Sequence, residues 1–400
     1  MDTLPQLPLI PPTELQQRVR QFQARLQAAQ VDIALIVQGA DLLYLSGTRQ
    51  QAHLLVPAIG EPRLLARKSV SRAARESSWP TTALRSLRDL PSAVAEMVGG
   101  PARRLGLELD VMPVTTFRQY EALWPGVELV DVGGLLREQR AVKSAWELER
   151  IAEAGVMMDQ ILRAVPSILR EGMTELEFAG RLEAVGRALG HQGLTSMRNW
   201  NMELFYGAVV AGPSAAVPGH FDGPLGSLGA SVAAPISASR RPIQRGEPIV
   251  VDYIAVAEGY LCDQTRIFSL GPLPATLMDA HQAMREVYAA IAEAARPGVR
   301  GGDVYDLAVA KAAEAGLADV FMGPGEQRVS FVAHGVGLEV DELPLLARGY
   351  KGELQPGMIL AVEPKAIFPG VGAVGMENTA VVTETGLRSL SISPEDIIIL

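Results

Sequence analysis

Cysteine is nearly absent from this 400-residue sequence, in which Cys262 stands alone. An internal disulfide is therefore excluded, as are structural zinc sites built on several thiolates. A lone thiol also agrees with a reducing compartment. Basic clusters are missing too. Lys plus Arg number 36 against 45 Asp plus Glu, a net charge of −9. No run could neutralise a phosphate backbone, so no nucleic-acid partner is expected. No segment reaches about 18 unbroken apolar residues, the length a membrane-spanning helix needs. Met1 to Pro12 lacks the basic start, apolar stretch and small-residue site of a secretory signal. The expectation is a soluble, cytoplasmic protein with no membrane partner.

What is present is a globular composition, 48% hydrophobic and 20% charged, able to bury a large core. At roughly 150 residues per domain the length suggests two or three domains, and two is the working count. After Pro11 and Pro12, Thr13 reads as the N-cap of an amphipathic helix carrying Leu15, Val19, Phe22 and Leu26. Short apolar runs follow at Ile33–Val37, Leu42–Leu45, Leu54–Ile59 and Leu64–Leu65, interleaved with helical stretches such as Ser92–Val98. This pattern predicts a small α/β domain over residues 1–139. A charged stretch, Arg137 to Arg150, then leads into a long helical pattern through Trp146, Leu148, Ile151, Met158 and Leu162, which opens a second domain over 140–400. Within it, Arg170-Glu171-Gly172-Met173 precedes a helix ending at Gly190, and Arg296-Pro297-Gly298-Val299 precedes one ending at Gly316, at equal offset. This weak echo suggests two related halves.

The chemistry concentrates in Ile249–Phe268. Its β-branched and aromatic residues flank Glu258-Gly259, the signature of a hairpin turn. With that turn, Ile254 faces Asp263 and Asp252 faces Thr265. Asp252 and Asp263 then share one face as diagonal neighbours, about 7 to 8 Å apart in backbone. Two buried carboxylates repel unless one is protonated or a cation lies between them. The competing reading has one Asp capping a turn and the other solvated.

Three other residues weigh against that reading. His334 lies beside Gly335 and Gly337, which remove side chains that would block a ligand. Glu363 ends the apolar run Met358–Val362, just before Pro364, and Glu377 sits in the strand-like run Val374–Val382. Each alone is more often structural, solvated or ion-paired. Together, Asp252, Asp263, His334, Glu363 and Glu377 form an oxygen-rich set suited to manganese, iron or cobalt. Four negative charges exceed the need of one divalent ion, which argues for two ions about 3.5 to 4 Å apart in a hydrolytic centre.

These motifs, in this order and at this spacing, resemble the pita-bread metallopeptidases: methionine aminopeptidase, aminopeptidase P and prolidase, with creatinase as a metal-free relative. The resemblance covers the chain from about Arg140 onward, and residues 1–139 look like the creatinase-type N-terminal domain. It implies an α/β N-terminal domain followed by an α+β pita-bread domain with pseudo-twofold halves. It further implies that Asp252 and Asp263 hold one metal, that Asp263 and Glu377 bridge both, and that His334 and Glu363 complete the other. Mn²⁺ is the expected ion, with Co²⁺, Fe²⁺ or Zn²⁺ as alternatives. Glu363 is the candidate for proton transfer, small peptides are the expected substrates, and a homodimer is the expected assembly.

The departures are equally specific. Asp341 stands where peptidases of this family carry a second histidine, and Gly375 stands where prolyl-specific members carry an arginine. The upstream family histidine is best matched by His220 in Val-Pro-Gly-His, one residue out of register, so His220 becomes a candidate proton donor or substrate partner. The Gly-, Ala- and Ser-rich loop Phe221–Arg241 reads as a lid or as an insertion. His53, His191 and His281 read as structural or surface residues, and Cys262 as core. The leading expectation is a dinuclear hydrolase cleaving the N-terminal residue of Xaa-Pro peptides through a metal-bound hydroxide. The first alternative, motivated by Asp341, is a small amide or zwitterionic metabolite as substrate. The second is a non-catalytic binding module of the same fold.

Overall fold

The computed structural model describes residues 7–400; the first six residues of the segment read above for a secretory signal lie outside them. The chain forms two compact units, Met1–Arg140 and Ala141–Leu400. Among the described residues no helix is long and apolar enough to cross a membrane.

The first unit is a six-stranded mixed sheet flanked by helices. Its strands are β1 (Ile33–Ile36), β2 (Ala52–Pro57), β3 (Arg63–Ala66), β4 (Thr81–Ala83), β5 (Arg104–Leu107) and β6 (Glu128–Asp131), in the order β4-β3-β2-β1-β5-β6. The opening helix starts at Pro12 with Pro11 as its cap, not Thr13. Proline at the first helical position has no N–H to leave unsatisfied and a φ already set for the helix, so no side-chain cap is required. Leu42–Leu45 lies in a helix, Gly39–Ser46, rather than in an extended run. Its start is fixed by the Gln38 side chain, which accepts from the N–H groups of Ala40 and Asp41.

The second unit repeats one theme. Helix Ala145–Ile168 begins at a capping box in which Ser144 and Glu147 satisfy each other's backbone N–H groups. It packs with helix Glu175–Ala188 against β7 (Gly207–Ala211), β8 (Ile249–Ala257) and β9 (Tyr260–Ser269). Helices Ala275–Ala294 and Gly301–Glu314 pack in the same way on a sheet made from β10 (Phe331–Gly335), β11 (Glu342–Ala347), β12 (Ile359–Val362), β15 (Asn378–Thr383) and β16 (Gly386–Ser389). A two-stranded ribbon, β13 (Lys365–Phe368) with β14 (Gly372–Gly375), sits between β12 and β15 in sequence, and the short β17 (Ile398–Ile399) edges β9. The echo in sequence is also an echo in structure. The helices Glu175–Ala188 and Gly301–Glu314 are both 14 residues long and stand at the same offset as their flanking glycines, all four of which adopt positive φ. These left-handed positions end one helix and start the next turn, which explains why glycine recurs there.

Candidate metal centre

The hairpin expected from sequence forms in the expected register. β8 and β9 join through Glu258-Gly259, both at positive φ, and pair Asp252 with Thr265 and Ile254 with Asp263. Asp252 and Asp263 therefore project from one face. Thr379 on β15 clamps the second acid: its hydroxyl accepts from the Asp263 N–H and donates to the Asp263 carbonyl, both at 2.9 Å.

Glu363 follows β12 directly, its N–H donating to the Val332 carbonyl at 3.0 Å. Glu377 does not lie within a continuous strand. Val374–Val382 breaks into β14 and β15, and Glu377 occupies the crossing between two sheets. There the Thr265 hydroxyl donates to its Oε2 at 2.9 Å, and the buried Arg266 donates to its carbonyl at 2.8 Å. His334, on β10, directs Nδ1 at the Gly335 carbonyl, 3.2 Å away. A carbonyl only accepts, so Nδ1 carries a proton, and Nε2 is the ring nitrogen turned toward the acids. Nε2 lies 3.8 Å from Glu363 Oε1 and 4.0 Å from Glu377 Oε1.

All five side chains thus converge. They form two groups that share Glu377, namely Asp263–His334–Glu377 and Asp252–Glu363–Glu377, each with one ligand atom apiece within 4.8 Å of the others. Burial, followed by repulsion from Glu377, Asp252 and Glu363, holds the Asp263 carboxyl well above the usual carboxylate range. Burial and the Glu377 charge also raise Asp252, although Lys365 works against them.

Lys365 is the residue that sequence reading missed. Its ammonium lies 2.6 Å from Glu363 Oε2, 3.0 Å from Asp252 Oδ2 and 3.1 Å from Glu377 Oε2, with the side chain only 1% exposed. Burial alone would lower its pKa, but the three carboxylates outweigh that and push it well above the ordinary lysine range. The signal was available: within Met358–Phe368 only Glu363 and Lys365 are charged, and a lysine among such apolar residues requires a buried counter-charge.

The geometry can be set beside known proteins. Residues 149–384 match Metallopeptidase family M24, and residues 18–142 match the Creatinase/Prolidase N-terminal domain. The chain belongs to metallopeptidase family M24. This M24 member is 29% identical over 377 residues to a probable dipeptidase PepE of Mycobacterium tuberculosis, covering 92% of this chain and 91% of that one. Among solved structures it superposes on dipeptidase PepE from Mycobacterium ulcerans with a TM-score of 0.79 at 28% identity, covering 98% and 99% of the two chains. It superposes on an Xaa-Pro dipeptidase from Bacillus anthracis with a TM-score of 0.82 at 22% identity, covering 96% and 100%. Membership of M24 and the two ligand groups together make the protein a metal-dependent hydrolase with a candidate dinuclear site.

The residues of this M24 chain fit a divalent cation at Asp263–His334–Glu377. Asp263 Oδ1 is buried with no hydrogen-bond partner, and the donor set combines an imidazole nitrogen with carboxylates. The second group differs, because its three carboxylates already surround the Lys365 ammonium.

Two sequence candidates lie outside this convergence. His220 is exposed and lines a cavity of about 480 Å³ with the adjoining loop, Arg328 and Ile367. Asp341 turns both carboxylate oxygens to backbone, accepting from the N–H groups of Arg198 and Asn199 at 2.8 Å each. Those bonds give it a local anchoring task. Gly335 and Gly337 also serve packing rather than ligand approach: a Cβ at Gly335 would meet the Leu343 carbonyl at 2.2 Å, and one at Gly337 would meet the Glu342 carboxylate at 2.6 Å. His53, His191 and His281 are buried and bonded to the Tyr120 hydroxyl, the Ile254 carbonyl and the Glu395 carbonyl. Cys262 is core, its thiol pushed up to about 11 by burial.

Proposed function

We propose that this M24 hydrolase is an Xaa-Pro dipeptidase or aminopeptidase, with Asp252, Asp263, His334, Glu363 and Glu377 as its metal ligands. The observation that carries the reading is the convergence of these five side chains into two cation-sized groups sharing Glu377. Divalent ions in such a site supply a nucleophilic water at neutral pH and polarise a scissile carbonyl. The chain's own residues do the rest. Lys365 holds Glu363 Oε2, which leaves Oε1, the oxygen facing His334, to take up and deliver the proton. His220, exposed beside the loop, hydrogen-bonds the substrate from the cavity side. Manganese is the favoured ion, with cobalt, iron and zinc sharing its ligand preferences. The working context is a cytoplasmic homodimer without nucleic-acid or membrane partners.

Gly375 favours a second reading, a small amide or zwitterionic metabolite at the same centre. Its φ of +145° and the 2.4 Å approach of its missing Cβ to the Pro364 carbonyl leave no room for a guanidinium that would hold a substrate carboxylate. The test is an activity screen of metal-reconstituted protein on Xaa-Pro dipeptides and longer peptides, beside non-prolyl peptides and N-acyl or cyclic amides. Preferential Xaa-Pro cleavage that chelator abolishes is the expected result. Turnover confined to the small amides would replace the first reading with the second, and turnover undiminished in chelator would defeat both.

A further inference from the structure

Lys365 and Gly375 form a cross-strand pair in the β13–β14 ribbon. A Cβ on Gly375 would lie 2.8 Å from the Lys365 Cα and 3.2 Å from its Cγ. The bare glycine therefore gives the lysine stem the space through which it reaches the acids. At the end of that stem the ammonium touches every member of one ligand group: Asp252, Glu363 and Glu377. In the other group the ammonium reaches only the shared Glu377, and neither Asp263 nor His334 is bonded to it. No described side chain bonds to Asp263 Oδ1, and His334 presents Nε2 to the same space.

The charges follow. Four carboxylates carry four negative charges, and Lys365 cancels one. A single divalent ion at Asp263–His334–Glu377 cancels two more, leaving one. A second ion would have to enter among the three carboxylates that already hold the ammonium, and like charges at that range repel strongly.

We propose that Lys365 is a built-in cation that takes the place of one of the two divalent ions, so that each chain holds one ion, at Asp263–His334–Glu377. The assignment rests on the ligand reading above and refines it, from a dinuclear centre to one in which an ammonium and a single ion share the carboxylates. Glu377 links the two, its Oε2 on the ammonium side and its Oε1 facing His334. Gly375 itself brings no charge to the site, while its strand partner Lys365 brings one to the acids.

The experiment loads the full-length protein with excess Mn²⁺, removes weakly held ions by gel filtration, and counts metal per chain by elemental analysis and electron paramagnetic resonance. Wild type is expected to retain one magnetically isolated ion. Lys365→Gly should retain two exchange-coupled ions, its affinity for the second improved at least about a hundredfold by loss of the competing ammonium. Lys365→Met keeps the stem's bulk without the charge and serves if the glycine variant melts early; Lys365→Arg keeps a cation and should stay at one. Two coupled ions in wild type and in Lys365→Met alike would overturn the inference while leaving the ligand reading intact. No retained ion in any of these proteins would overturn the ligand reading itself.

Discussion

Asp263→Asn should make the metal-free protein more stable while removing its response to metal. The carboxylate of Asp263 and that of Glu377 bring ligand atoms within 4.8 Å of each other. At an effective dielectric of about 20, two unit charges at that distance repel by about 3 kcal/mol. Lys365 is felt by Asp263 as well and offsets part of this, so the asparagine, close in shape and uncharged, should stabilise the apo form by about 2 kcal/mol. For a unit of this size that corresponds to a Tm rise of about 4 °C. Wild type in Mn²⁺ at a hundred times its Kd should gain about 2.7 kcal/mol by mass action, whereas the variant should gain nothing. Differential scanning calorimetry in chelator and in Mn²⁺ measures both effects. An apo variant less stable than apo wild type, still raised by metal, would show that Asp263 is a structural acid and that the ligand assignment fails there.

Further expectations are local. Glu175 accepts from the N–H groups of Ala211 and Ser239 at 2.8 Å and from the hydroxyls of Ser214 and Ser239, so it pins both ends of the loop that carries His220. Glu175→Gln turns an amide donor toward one of those N–H groups and should cost about 1–3 kcal/mol; limited proteolysis within 212–241 should quicken, and an unchanged cleavage rate would rule out the anchoring role. Burial pushes the His53 imidazole down from 6.5 to about 4. The unfolded chain therefore takes up a proton that the folded one refuses, so this contribution is intact above pH 6.5 and falls by about 3 kcal/mol as pH drops toward 4. His53→Gln should flatten the stability profile in that window, and an unaltered slope would disprove the assignment. Asp341→Ala leaves the Arg198 and Asn199 N–H groups without their carboxylate and should lower stability by about 1–3 kcal/mol in thermal unfolding; unchanged stability with a loss of activity confined to cationic substrates would return Asp341 to the substrate.

The hairpin and its two acids were legible because period-two alternation and a two-residue turn determine register locally, and Ile254 opposite Asp263 follows by counting. His334, Glu363 and Glu377 could be singled out because each interrupts apolar surroundings. Lys365 interrupts them equally, but lysine usually reaches solvent, and only the fold-back of β13 on β14 turns its stem inward. Asp341 escaped for another reason. Its partners, Arg198 and Asn199, lie more than a hundred residues earlier, where spacing carries no information. The split of Val374–Val382 was hidden because both pieces are apolar, and the crossing at Glu377 depends on which sheet each piece joins.

The five side chains come from both repeats of the second unit: β8 and β9 contribute Asp252 and Asp263, β10 contributes His334, and the segments after β12 and before β15 contribute Glu363 and Glu377. Neither repeat alone supplies all three members of either candidate ligand group. Under the proposed ligand assignment, capture of an ion would therefore report that the two repeats have docked.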